Sequence, residues 1–228
     1  MGNKEKRVFI VNDYGDEYAT MFKNYGWVII ENIKDADLIQ FTGGEDVTPS
    51  FYGHIAHLST HNNEVRDKKE RLIFLAAKKM KKPMAGICRG GQFLNVMCGG
   101  SMWQDISGHC GNHVATYLTG NGQKKKITVT STHHQMMVPI NDVKQYYTLM
   151  TAAVCKRREK MHPLDSKAKT GPGRNDSVIM VKNIPNDLEA LCYYKQKVLC
   201  FQPHPEFRSA SKELADLYFS YINMILLK

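Results

Sequence analysis

Pro83-Met84-Ala85-Gly86-Ile87-Cys88-Arg89-Gly90-Gly91-Gln92 is the stretch whose reading decides the fold. Met84 to Cys88 is almost continuously apolar, as in a strand buried on both faces of a parallel sheet. Phe93-Leu94-Asn95-Val96-Met97 follows as a helix-like run. A strand, a glycine-flanked cysteine and then a helix make the pattern of a nucleophile elbow. There the nucleophile sits in strained backbone geometry at a sharp turn, and glycines keep Cβ atoms out of the corner. The Cys88 sulfur is then presented to a ligand instead of being packed in the core.

A thiol nucleophile needs a base, and Gln202-Pro203-His204-Pro205-Glu206 supplies one after the strand-like run Val198-Leu199-Cys200-Phe201. In an extended segment residues i and i+2 project to the same side, so Glu206 can orient the imidazole of His204 while His204 takes the thiol proton. Taken singly these signals are weak, because a buried structural cysteine beside glycines is common. Together, in this order and each at the end of a strand, Cys88, His204 and Glu206 form a candidate triad.

Outward from the elbow, strands and helices alternate. Residues 7–12, 27–30 and 37–41 read as strands, 17–25 as a helix, and 63–81 as a second helix that ends before Pro83 with lysines in its last turn. Alternating βαβ units mean an α/β layered fold. The second half is richer in strands. Asn121-Gly122 between residues 114–118 and 127–130 marks a hairpin, and 146–154, 177–181, 188–194 and 197–201 read as further strands. Leu214, Leu217, Tyr218, Tyr221, Ile222 and Ile225 recur at helical spacing, so 209–226 is expected to be a helix packed on the sheet. Lys156 to Asp176 is polar, basic and contains Gly171-Pro172-Gly173, and reads as a long inserted loop.

The 228 residues suffice for one well-buried domain. The charged start, Met1 to Arg7, leads to a short apolar run only, so neither a signal peptide nor a membrane span is expected. The six cysteines lack a small-scaffold spacing. A catalytic thiol must stay reduced, which points to the cytoplasm. The net charge of +9 comes largely from lysine and arginine clusters at 78–82, 124–126 and 156–174. Aromatic residues do not interleave with these clusters and no nucleic-acid motif accompanies them, so solvated basic loops are the expectation and nucleic acid is not. His109, Cys110 and His113, or His54, His57 and His61, invite a zinc reading, but neither set has a familiar four-ligand pattern.

The elbow Gly86-Ile87-Cys88-Arg89-Gly90-Gly91-Gln92 resembles that of the class I glutamine amidotransferase-like proteins, and within them the γ-glutamyl hydrolase branch, peptidase family C26. Gly43-Gly44-Glu45-Asp46-Val47-Thr48-Pro49 with Tyr52-Gly53, Arg66-Asp67 with Glu70, Asn95-Val96, Gly99-Gly100-Ser101 with Gln104-Asp105-Ile106, Ser131-Thr132-His133-His134-Gln135 and His204-Pro205-Glu206 extend the match in the family's order. The resemblance implies a three-layer, flavodoxin-like and mostly parallel central sheet with helices on both faces and an added antiparallel hairpin region. It also implies an oxyanion hole from the N–H of Arg89 and from Gly43-Gly44, which without Cys88 would read as a plain turn. Gln92 is implied to hold the γ-glutamyl group, with Thr132, His133 and His134 lining the pocket for its α-amino and α-carboxylate ends. On their own residues, His133 and His134 could equally be surface histidines. No metal or cofactor is implied.

The activity expected is cysteine-dependent hydrolysis of glutamine or another γ-glutamyl compound through a thioester on Cys88. A separate synthetase subunit is a conceivable acceptor of the ammonia, since 228 residues leave no room for a synthetase domain. The alternative is a catalytically idle module that binds a partner protein or nucleic acid through its basic loop, against which the intact Cys88, His204 and Glu206 argue. The Lys156 to Asp176 stretch departs from the family pattern and leaves the substrate open.

Overall fold

The computed structural model describes residues 5–13, 15–155, 157–161, 178–182 and 187–228. Its main sheet begins with β1 (Lys6–Val11), β2 (Trp27–Ile29), β3 (Leu38–Phe41) and β4 (Met84–Ile87). β7 (His113–Leu118), β8 (Lys124–Val129), β10 (Tyr147–Ala152), β13 (Asp187–Tyr193) and β14 (Val198–Phe201) complete it. The order across the sheet is β2-β1-β3-β4-β14-β13-β10-β7-β8. From β2 to β14 neighbouring strands are parallel, and beyond β14 they are antiparallel. One sheet therefore holds both the expected parallel half and the expected hairpin region. Two short strands, β5 (Ser101–Trp103) and β9 (Met136–Val138), pair beside it.

Helices cover both faces. α1 (Glu17–Asn24) and α4 (Lys212–Tyr221) pack Tyr18, Phe22, Leu214 and Tyr218 against Val8, Leu38, Ile87 and Phe201. On the other face α2 (Glu64–Lys79) and α3 (Arg89–Met97) bring Phe74, Phe93 and Leu94 onto Ile39, Phe41, Met84 and Cys200. Alternate residues of β4 and β14 thus enter different cores, which is why both strands are continuously apolar. α4 starts at Ser211, whose hydroxyl accepts the Leu214 N–H at 3.2 Å. It runs on into a π-helical turn, Ile222–Leu226, that keeps the predicted apolar stripe on the sheet.

α2 spans the predicted segment, and its buried face is largely polar. Asn63 caps it, and Lys78 and Lys79 lie in its last turn. Leu72 and Leu75 are exposed, however, and the buried face carries Arg66, Asp67 and Glu70 ahead of Phe74 and Ala77. In the hairpin, the Thr119 N–H donates to Gln123 O and the Gly122 N–H to Thr119 O. Gly122 adopts φ 80°, as a glycine after Asn121 permits.

The loop expected over Lys156 to Asp176 needs correction. β11 (Arg157–Met161) pairs antiparallel with β12 (Val178–Lys182) and with β6 (Asp105–Ile106). The charged run Arg157-Arg158-Glu159-Lys160 has no apolar alternation to reveal a strand, because backbone pairing makes it one. Lys156 and residues 162–177, including Gly171-Pro172-Gly173, lie outside the described residues. Among the described residues no helix is long and apolar enough to cross a membrane.

Candidate active site

Cys88 joins β4 to α3 with φ 50° and ψ −116°, a conformation that non-glycine residues rarely adopt. Hydrogen bonds hold it there: its N–H donates to Phe201 O at 2.8 Å, and its carbonyl accepts the Gln92 N–H at 3.0 Å. The flanking glycines are required by contact. A Cβ on Gly86 would collide with the Gly90 backbone, one on Gly90 with the Phe41 carbonyl, and one on Gly91 would lie 2.9 Å from the Phe201 nitrogen. Gly90→Ala is therefore expected to cost about 1–3 kcal/mol, read as a lower urea midpoint. An unchanged midpoint would show that the elbow tolerates the extra carbon.

β14 lies parallel to β4 with Phe201 opposite Ile87, so the C-terminal ends of both strands deliver their residues to one edge of the sheet. There His204 Nδ1 lies 2.7 Å from Glu206 Oε1. The ring meets the Cys88 side chain, and its Nε2 lies 3.0 Å from the Thr132 hydroxyl. The His204 backbone is pinned to Thr130 by an N–H to Thr130 O and by its own carbonyl accepting the Thr130 hydroxyl at 2.7 Å. The ring stacks on Phe207 with centroids 4.2 Å apart. Burial opposes charge on this imidazole, but the Cys88 sulfur and the Glu206 carboxylate outweigh it and push His204 up to about 10.

Cys88, Gly44, Arg89, Gln92, Thr132 and His204 line a cavity of about 330 Å³. Arg89 opens α3, and the first N–H groups of a helix lack intrahelical acceptors. Its guanidinium points the other way, to Asp67 and Glu70, and all three side chains are almost wholly buried. Gly44 has φ 136°, and a Cβ there would collide with the Arg66 guanidinium. Gly43 departs from the expected oxyanion role, because its N–H already donates to the Tyr18 hydroxyl at 2.8 Å. The Gly43 carbonyl accepts from Arg66 at 2.8 Å, and Arg66 is held by Glu70 at 2.8 Å and Glu45 at 2.9 Å.

Of the residues expected to hold substrate, Gln92 is braced by Gln135 O and Gln202 Oε1, each at 3.2 Å. Thr132 bonds to His204, as above. His134 lies half-buried between Asp46 at 3.3 Å and Asp105 at 3.7 Å; the Asp46 hydrogen bond outweighs burial and raises its pKa. His133 also lines the cavity. Its imidazole is buried with Nδ1 2.7 Å from Gln135 O, and burial holds it neutral with a pKa of about 3. Tyr18, Arg66 and Asp46 carry no individual signal in the sequence; Arg66 and Asp46 are visible there only as members of matched motifs.

Residues 24–206 match the peptidase C26 family. The glutamine amidotransferase-like protein YvdE homolog of Lactococcus lactis subsp. cremoris is 37% identical over 102 residues, 40% of this chain and 54% of that protein. Protein NtpR of Enterococcus hirae is 37% identical over 76 residues, 33% of this chain and 32% of NtpR. The chain thus aligns with about half, or less, of the length of these relatives. Among solved structures, a glutamine amidotransferase of Thermotoga maritima superposes with a TM-score of 0.58 at 14% identity, covering 99% of this chain and 90% of that one. PurLQS of Thermotoga maritima does so with a TM-score of 0.57 at 16% identity, covering 96% and 98%. At such identity the structural likeness carries the fold alone. With a family match over most of its length and that fold beneath it, the chain belongs to the peptidase C26 family of class I glutamine amidotransferase-like proteins.

Proposed function

We propose that this chain hydrolyses a γ-glutamyl amide bond, in glutamine or another γ-glutamyl compound, through a γ-glutamyl thioester on Cys88. The observation that carries the reading is the strained Cys88 facing His204, whose far nitrogen lies 2.7 Å from Glu206. The Cys88 sulfur attacks the γ-carbonyl carbon and its proton resides on His204 Nε2. The oxyanion that forms is met by the N–H groups of Arg89 and Gly44, each such donor typically being worth about 3 kcal/mol. Collapse of the tetrahedral intermediate breaks the C–N bond, and His204 protonates the departing amine. Water then gives its proton to His204 and attacks the thioester, releasing the γ-carboxylate and restoring the thiol. Gln92 holds the γ-glutamyl group, and His134, whose charged form Asp46 favours, faces the α-carboxylate while Asp46 attracts the α-amino group. A separate synthetase subunit would receive the ammonia if the chain serves as an amidotransferase.

Turnover of free glutamine and of γ-glutamyl amides by the purified chain tests the activity. The nucleophile is tested by labelling with a glutamine-mimicking chloroketone and mapping the adduct by mass. Burial pushes the Cys98 and Cys192 thiols up to about 12 and Cys200 well above its usual value, so these stay protonated and slow. Cys110 is exposed and bridged to Thr132 but does not line the cavity. The adduct is expected on Cys88 before any other cysteine. Labelling chiefly at Cys110 or Cys155 would remove Cys88 from the mechanism.

A further inference from the structure

At the cavity wall, His109 and His113 flank Glu189 and the His133 ring packs beside His109, and all four residues are buried. Glu189 Oε1 lies 3.1 Å from His109 Nδ1 and 3.0 Å from His113 Nε2. The far nitrogen of each ring also faces an acceptor: His109 Nε2 meets Asp187 Oδ2 at 3.1 Å, His113 Nδ1 meets Gly111 O at 3.3 Å, and His133 Nδ1 meets Gln135 O at 2.7 Å. Carboxylate and carbonyl oxygens accept, so one tautomer open to each ring carries its proton on the far nitrogen. In a neutral ring the near nitrogen is then a lone pair. The lone pairs of His109 and His113 would face a carboxylate oxygen at contact distance, which is repulsive unless a positive charge lies between them.

A second proton on each ring is one such charge, and it sets two imidazolium rings, centroids 4.8 Å apart, against the Glu189 and Asp187 carboxylates in the interior. His109 Nδ1 approaches Glu189 without the direction of a hydrogen bond, and Glu189 Oε2 and His133 Nε2 are also buried without a hydrogen-bond partner. A single divalent cation is another such charge. Metal–ligand distances of about 2.0 Å place tetrahedral donors roughly 3.3 Å apart, close to the 3.0 and 3.1 Å separations here. The three donor atoms all lie within 4.8 Å of one another.

We propose that His109, His113 and Glu189 form a binding site for one divalent transition-metal ion of the zinc type, with the His133 ring beside it. Two histidines and one carboxylate are a zinc donor set. Asp187 behind His109 supplies the outer carboxylate that fixes a ligating imidazole. The ion ties the start of β7 and the segment before it to β13, whose Glu189 carbonyl accepts the N–H of Gln202, two residues before His204. His133 adjoins Thr132, which touches His204. The ion is thus a brace for the wall that carries the base, with no part in the bond-breaking steps.

The test uses the full chain, stripped with a chelator and titrated with Co²⁺, whose visible absorption reports nitrogen and oxygen coordination; Zn²⁺ serves as competitor. One equivalent of Co²⁺ is expected to bind with a visible band that Zn²⁺ abolishes, and Zn²⁺ is expected to raise the melting temperature. Glu189→Gln and His113→Asn should each lose the band, and Asp187→Asn should bind about 10–100-fold more weakly. Cys88→Ala and Cys110→Ser should bind as the parent does. A folded parent chain that takes up no Co²⁺ at millimolar concentration overturns the proposal. So does a band lost in the cysteine variants, or one unchanged in both Glu189→Gln and His113→Asn. If those variants do not fold, nitrogen-15 spectra of the parent decide: His109 and His113 doubly protonated at neutral pH and unaffected by Zn²⁺ would make the cluster a metal-free ion-pair knot.

Discussion

Cys88→Ala and His204→Ala are each expected to lower γ-glutamyl hydrolysis by at least about 10⁴-fold, with Glu206→Gln retaining weak but measurable turnover. The ordering follows from what each group does. Without the sulfur no thioester forms, and without the imidazole neither the thiol proton nor the leaving amine is served. Glu206 touches neither substrate nor sulfur. It holds the His204 ring through one contact, and the ring is held independently by Phe207 and by its backbone bonds to Thr130. Losses within such a unit are not additive, so Cys88→Ala combined with His204→Ala should be no slower than either alone. The rate of acyl-enzyme formation with a chromogenic γ-glutamyl amide provides the measurement. If folded Glu206→Gln is as inactive as Cys88→Ala, then Glu206 has a more direct role than orientation. If Cys88→Ala retains parental activity, the chemistry lies elsewhere.

The second large effect is on stability. Arg89→Met is expected to destabilise the fold by about 3–5 kcal/mol at neutral pH, because it leaves Asp67 and Glu70 buried without their shared cation. Arg66 and Asn12 still reach Glu70, and the Thr48 N–H still reaches Asp67, at 2.8, 2.7 and 2.7 Å. These donors compensate only in part for a guanidinium that bonds to both acids. Arg89→Met combined with Asp67→Asn and Glu70→Gln should recover much of the loss, since it removes the uncompensated charges. Denaturant midpoints of the single and combined variants supply the comparison. A single substitution that costs under about 1 kcal/mol would assign the network no stabilising role.

Much of the α/β layering was readable because it rests on local signals. Continuous apolarity marked β4 and β14, the Asn121-Gly122 pair marked the hairpin, and the 3.6-residue stripe marked α4. The Cys88 elbow was readable because a left-handed non-glycine residue between close-packed backbones demands glycine at fixed offsets, and offsets are written in sequence. His204 and Glu206 were readable because an extended chain puts i and i+2 on one side.

Three-dimensional packing decided the rest. α2 buries Arg66, Asp67 and Glu70 while Leu72 and Leu75 stay outside, because Arg89 and Gly43 wait beneath that face, and no periodicity within the helix reports what lies across from it. β11 is a strand of charged residues because it meets the backbones of β6 and β12. Gly43 lost its expected role to the hydroxyl of Tyr18, which another element delivers to the site. His133 lines the cavity and packs its ring beside His109, which a different segment delivers. Read by spacing, His109, Cys110 and His113 gave no ligand pattern, and the acid the fold brings beside both histidines is Glu189 on β13. Sequence alone determined the elements whose cause lies within one turn or one strand. Contacts between residues distant in the chain were decided by the sheet order, which sets what each buried polar atom must face.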